Sequence, residues 1–224
     1  MTATFAGDKK VGSSLFTPLE KNIVQKYVNS IPSWLETYHL TLMTIVWSVG
    51  NLVFGYLAQY NIVWLWGVSV MIFCQYATDL FDGAVGRHRN TGLIKWGYYM
   101  DHFLDYLFLC SLLIAYFFIV PEHFVYLSFF MLALYGAFMV NSFLAFAATN
   151  SFRIAFLKIG PTEIRLVFIA VNTLIILVGN TNMSKLLPYV LVMSFFALVV
   201  VVYRTQKEIW QLDMSENKLG AKKK

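Results

Sequence analysis

Charge is what this chain has least of. Asp, Glu, Lys and Arg make up 13% of its 224 residues, and 58% are hydrophobic. A soluble domain carries roughly 25% charged residues, so an ordinary soluble fold is excluded. Cysteine is scarce as well. Cys74 and Cys110 both fall in apolar runs, which leaves no disulfide framework and no CxxC metal spacing. Buried thiols of this kind behave as small hydrophobes. Residues 1–16, MTATFAGDKKVGSSLF, lack the apolar core of a cleaved signal, so membrane entry is expected through the spans themselves. The short alternating segments of an outer-membrane barrel are missing. There is no internal repeat or low-complexity tract, and the halves are not inverted copies, which counts against a secondary transporter.

Long apolar runs fill the stretch from about residue 38 to residue 203. Their length and spacing predict an all-α integral membrane protein. Six spans are expected, at 38–58, 62–82, 98–119, 124–148, 163–180 and 186–203. The net charge of +5 is distributed unevenly. Arg87, Arg89 and Lys95 follow the second span, and Arg153, Lys158 and Arg165 surround the start of the fifth. Lys9, Lys10, Lys21 and Lys26 precede the first, and Arg204, Lys207, Lys218 and Lys222 to Lys224 follow the last. Lys185 alone lies on the other side. The positive-inside rule then places both termini in the cytoplasm, as for a bacterial inner-membrane protein or its equivalent. The same rule accounts for the basic tail without a nucleic-acid partner.

Residues 1–16 are expected to be a flexible arm. Residues 17–32 read as an amphipathic surface helix, with Leu19, Ile23, Tyr27 and Ile31 on one face and Pro32 as its stop. Thr17 and Glu20 have capping-box spacing, with Pro18 at the first helical position. Ser33 and Glu36 repeat that spacing and predict the next helix start. Trp34 and Tyr38 suit the membrane interface. Residues 33–206 form the six-helix domain, and 207–224 a basic cytoplasmic tail. Pro188 lies early in the sixth span, where proline is tolerated.

Against this background four aspartates stand out. Asp79 and Asp82 close the second span, and Asp101 and Asp105 open the third. A carboxylate deep in a membrane helix costs roughly 2.5–3.5 kcal/mol on insertion scales and usually marks a function. Separations of three and four residues put each pair on one helix face, and the loop 84–97 returns the second pair to the end of the first. Four like charges repel unless cations neutralise them. Hard divalent ions take such oxygen ligands together with substrate phosphates, and two ions clamp the attacking and leaving oxygens of a phosphoryl transfer. Gly83 opens the backbone to a phosphate, and Arg87 is suited to hold one. The alternative is an ion network with Arg87, Arg89, Lys95 or His102.

The stretch DLFDGAVGRHRNTGLIKWGYYMDHFLD, residues 79–105, resembles the signature of the CDP-alcohol phosphatidyltransferase family. That signature is D-x2-D-G-x2-A-R, seven or eight residues, then G-x3-D-x3-D. Asp79, Asp82, Gly83, Arg87, Gly97, Asp101 and Asp105 match. Gly86 stands at the alanine, and nine residues separate Arg87 from Gly97. The Pro-Asn that the family tends to carry in its first span is replaced by HLTLMT, residues 39–44. The resemblance implies transfer of a phospho-alcohol or phosphatidyl group from a CDP-linked donor to a hydroxyl of a lipid or alcohol acceptor, releasing CMP. It implies two Mg²⁺ or Mn²⁺ ions on Asp79, Asp82 and Asp101. Asp105 would complete the second ion's site or act as base, with His102 as the alternative base. Dimerisation is common in the family. MDHFLD resembles the aminoalcohol branch at this point.

A second group lies in GPTEIR, residues 160–165, where GPTE is similar to a stretch of the choline and ethanolamine phosphotransferases. Glu163 is the one acidic residue of spans four to six and either serves the site or caps its helix. Arg165 points to a different helix face. Arg153, Lys158 and Arg165 are expected to bind a head-group phosphate, or else reflect the positive-inside bias. Two rival readings exist. A UbiA-type prenyltransferase calls for more spans and a further aspartate in its first motif. A cation-coupled transporter calls for carboxylates at the midplane rather than at helix ends.

Overall fold

The computed structural model describes residues 9–11, 15–149, 151–153 and 160–222, excepting the side chains of 9–11, 151–153 and 216–222. Eight helices carry nearly all of it. They are α1 (Thr17–Tyr27), α2 (Thr37–Ala58), α3 (Leu65–Arg89), α4 (Ile94–Phe117), α5 (Val125–Thr149), α6 (Pro161–Val178), α7 (Asn180–Ser184) and α8 (Leu187–Lys222). Two three-residue strands, β1 (Lys9–Val11) and β2 (Ser151–Arg153), pair in parallel with Lys9 opposite Ser151. Six helical segments are long and apolar enough to cross a bilayer: Thr37–Ala58, Ile62–Arg89, Ile94–Phe117, Glu122–Thr149, Pro161–Val178 and Asn180–Ser215. The protein is therefore an all-α integral membrane protein with the six spans expected.

The boundaries differ where local spacing was the guide. Thr17 does not cap α1. Its N-cap is Phe16, which makes no side-chain cap bond, and Glu20 reaches out of the helix instead. The helix tightens into a 3₁₀ turn at Val28–Ser30. Ile31 is extended, as a residue before proline favours. The next helix begins at Thr37, not at Ser33. Glu36 is its N-cap, and the Glu36 backbone N–H donates to His39 Nδ1 at 3.1 Å. Beyond residue 203 α8 continues to Lys222, because RTQKEIWQLDMSENKL contains no residue that breaks a helix.

Packing divides the bundle. α2 lies along both α3 and α4, α6 closes against α3, and α5 packs on α4 and carries α8. α2 and α4 approach so closely that a Cβ on Gly55 would lie 2.5 Å from the Ala115 Cβ, below any real carbon contact. The apolar core gathers Leu65, Val68 and Ile72 of α3, Phe108, Leu112 and Ala115 of α4, and Ile175 of α6. These residues occupy the first half of α3 and the second half of α4. Asp79 is seven residues beyond Ile72, about 10 Å along the helix. The aspartates thus border the apolar core, on its side toward the end of α3 and the start of α4.

Buried amides cross-link the spans near that core. Asn51 Nδ2 donates to Ser111 Oγ at 3.2 Å. Asn172 Nδ2 donates to Ser69 Oγ at 3.0 Å and its Oδ1 accepts from Tyr116 at 2.7 Å. Both asparagines are fully buried, where a hydrogen-bond partner is needed to offset desolvation.

At the aspartate end, Arg89 ties the α1–α2 linker to α3. Its guanidinium donates to the Ile31 and Leu35 carbonyls at 2.9 Å each and to Pro32 at 3.0 Å. Arg's planar fork, with five donors, suits several carbonyls at once. α3 ends at Asn90 in the left-handed region, φ 56°, which asparagine tolerates better than most residues. The chain then folds back, and the Thr91 N–H bonds the Gly86 carbonyl at 3.1 Å.

Candidate active site

Three elements converge at the aspartate end. α3 contributes Asp79 and Asp82 from its C-terminal half, α4 contributes Asp101 and Asp105 from its first half, and α6 contributes Arg165 one turn past its Pro161 start. Carboxylate oxygens of Asp79, Asp101 and Asp105 all lie within 4.8 Å of one another. Arg165 reaches into this group. Its Nη2 lies 2.7 Å from Asp79 Oδ2 and 3.8 Å from Asp105 Oδ1. The guanidinium also sits 5.8 Å from the Tyr76 ring centroid, within cation–π range.

Asp82 falls outside the three-carboxylate group. Its Oδ2 accepts from Thr41 Oγ1 at 3.1 Å, and its other oxygen accepts from the Gly83 N–H. The Asp82 carbonyl accepts from Thr37 Oγ1 at 2.5 Å. Thr37 and Thr41 belong to the first turns of α2, where the family's Pro-Asn is missing. Threonine hydroxyls are what this chain presents from its first span instead.

Gln75 orients Asp105. It is 1% exposed and its Nε2 donates to Asp105 Oδ1 at 2.9 Å. Its Oε1 is buried without a partner, a cost accepted only where the other end of the amide is needed. His102 Nδ1 lies 2.8 Å from the Tyr98 carbonyl and 3.6 Å from Asp101 Oδ2. A carbonyl can only accept, so Nδ1 is the donor to Tyr98.

The glycines divide by surroundings. A Cβ on Gly83 would meet Arg87 Nη1 at 3.1 Å, while one on Gly97 would meet nothing within 4 Å. Arg87 is exposed and folds over the bare backbone at Gly83. Gly86 is buried. A Cβ there would lie 3.1 Å from Gly92 Cα and 3.4 Å from Thr37 Oγ1. The loop with the additional residue thus presses its Gly92 into the space an alanine would fill.

Glu163 and Arg165 diverge as their spacing predicts. Glu163 Oε2 accepts from the Gly160 N–H at 2.8 Å, and Oε1 accepts from the Leu15 N–H at 2.8 Å. Of its two readings, the capping one has its hydrogen bonds in the structure. Lys158 lies outside the described residues, and Arg153 is placed by its backbone alone, in β2. Sequence reasoning passed over Gln75, Tyr76, Thr41 and Thr162, and gave Glu20 only a capping role. Gln75 carried a signal, being a lone amide within an apolar span one turn from Asp79. Glu20 and Thr162, by contrast, join across 142 residues.

The sequence model of the CDP-alcohol phosphatidyltransferase family matches residues 34–205, which covers five of the six membrane-crossing segments whole, most of the sixth, and the four aspartates. The chain belongs to that family. A comparison with curated proteins returns no match. Membership makes the chain a membrane-embedded transferase of phospholipid biosynthesis, in a family that uses a CDP-linked donor and an alcohol or lipid acceptor. The family is generally dependent on divalent metal. The residues present fit that requirement: three half-buried carboxylates offer hard oxygen donors at short separation, and the cluster already draws in a cation of the protein's own.

Proposed function

We propose that this enzyme joins a hydroxyl acceptor to the phosphorus of a CDP-linked donor and releases CMP. The observation that carries the reading is the meeting of Asp79, Asp101 and Asp105 from two helices with Arg165 from a third. Such a site, net negative on its own, is suited to hold divalent cations and through them a diphosphate. Asp79, Asp101 and Asp105, with Asp82 at the rim, would hold two Mg²⁺ or Mn²⁺ ions. When bound, those ions supply charge neutralisation on the diphosphate and its leaving oxygen.

The protein's own groups do the rest. Arg87 at the open backbone of Gly83 holds donor phosphate, and Gly97 leaves room beside it. Arg153 and Lys158 supply further positive charge for a head-group phosphate. Glu163 fixes the first turn of α6 and with it the base of Arg165. The acceptor oxygen forms a bond to the donor phosphorus, the phosphoanhydride bond to CMP breaks, and the hydroxyl proton passes to a base. Asp105 is held for that role by Gln75. His102, beside Asp101, is the other candidate, and its reach to the acceptor decides between them. The distribution of Lys and Arg supports a cytoplasm-facing site.

The test is CMP release by purified full-length protein with Mg²⁺. CDP-diacylglycerol, CDP-choline and CDP-ethanolamine are each paired with candidate acceptors. At least one pairing should give CMP, and Asp101→Asn should abolish it while keeping the wild-type melting profile. No CMP from any donor, together with cation flux into liposomes, would move the reading to transport.

A further inference from the structure

The segment that precedes the family's matched region is bonded into the site at its far end. Glu20 of α1 accepts two hydroxyl hydrogen bonds on one carboxylate oxygen, from Thr162 at 2.5 Å and from Tyr76 at 3.3 Å. Thr162 is on the first turn of α6, three residues before Arg165. Tyr76 is on α3, three residues before Asp79, and its ring faces the Arg165 guanidinium. One oxygen of the surface helix therefore joins the two helices that supply the Arg165–Asp79 pair. Two more links hold the same segment in place: the Leu15 N–H on Glu163, and the pairing of Lys9–Val11 with Ser151–Arg153. A helix serving only as a membrane anchor needs its apolar face against lipid, not a half-buried carboxylate turned inward to two spans.

We infer that Glu20 is a positioning residue: it sets the register of α6 against α3, and so the placement of Arg165 over the carboxylates. α1 is then part of the catalytic unit. Residues 17–27 lie outside the matched 34–205, so the family match does not itself carry this coupling. The effect on turnover rests on the function proposed above, whereas the effect on α6 does not.

The full-length protein in detergent is compared with Glu20→Ala, Glu20→Gln, Thr162→Val and Tyr76→Phe. Two readouts are used: amide hydrogen exchange over residues 160–166, and kcat and KM for whichever donor the wild type accepts. Glu20→Ala should speed exchange over 160–166 and lower kcat about tenfold with donor KM within about threefold. Glu20→Gln should recover most of both, because the amide oxygen still accepts from the two hydroxyls. Thr162→Val and Tyr76→Phe should each give part of the loss. Thr162→Val also serves where Glu20→Ala folds poorly, since it removes one arm only. Unchanged exchange over 160–166 in Glu20→Ala or Thr162→Val overturns the coupling, whether or not the wild type turns over. Faster exchange with wild-type kcat overturns the positioning role and leaves α1 an anchor. No turnover by the wild type counts against the proposed function alone.

Discussion

Arg165 is the residue whose loss should be most informative. Without a bound ion its guanidinium is the positive charge set among Asp79, Asp101 and Asp105. At 2.7 Å and an effective dielectric near 20, its attraction to Asp79 alone is about 6 kcal/mol, most of it offset by the desolvation of both groups. What a mutant exposes is the other half of that balance, a cluster of carboxylates that has lost the Arg165 charge. Breaking a fully buried pair costs about 3–5 kcal/mol. Here the Asp79 and Asp105 side chains are 25% and 32% exposed, so Arg165→Met should cost about 2–3 kcal/mol. At about 2–4 °C per kcal/mol for a chain of this size, the melting temperature in EDTA should fall by about 4–12 °C. Mg²⁺ should then restore the variant, since a ligand at a hundred times its dissociation constant adds about 2.7 kcal/mol. The assay is thermal unfolding of full-length protein in detergent, first in EDTA and then across a Mg²⁺ titration. A variant that melts with the wild type in EDTA, or that Mg²⁺ leaves unmoved, refutes the argument that these carboxylates need a cation.

Two further substitutions probe how the site is held. Gln75→Leu removes both the donor to Asp105 and a buried acceptor without a partner, so stability should change by less than about 1 kcal/mol. Turnover should fall about tenfold, and wild-type turnover would show that Asp105 needs no orientation. Gly86→Ala, which restores the family's usual residue, should destabilise by about 1–3 kcal/mol through overpacking against Gly92. Removing one residue from 88–96 in the same chain should recover much of it, and denaturant midpoints measure both.

The six spans were legible because a bilayer imposes one length on every helix that crosses it, and the apolar runs record that length directly. The carboxylate pairs were legible because helical spacing fixes which face each occupies. What was not legible depended on contacts far apart in the chain. Thr17 and Glu20 have the spacing of a local cap, yet Glu20 is engaged by Thr162 and Tyr76. Arg165 could be assigned to its own helix face, but nothing near it in sequence showed that Asp79 waits on the other side. Gly86 and the additional loop residue read as separate departures. In the fold the two meet, because the loop brings Gly92 back against Gly86.

The buried asparagines have a consequence for how the protein is made. Spans enter a membrane in the order of synthesis, and an amide in hydrocarbon wants a partner. Asn172 reaches the membrane after Ser69 and Tyr116, so α6 arrives at a docking place already complete. Asn51 is in the opposite position. Its partner Ser111 lies two helices later, and α2 must hold an unmatched amide until α4 has been translated. The first three spans therefore favour leaving the insertion machinery together, as a hairpin-and-return unit onto which the later helices assemble.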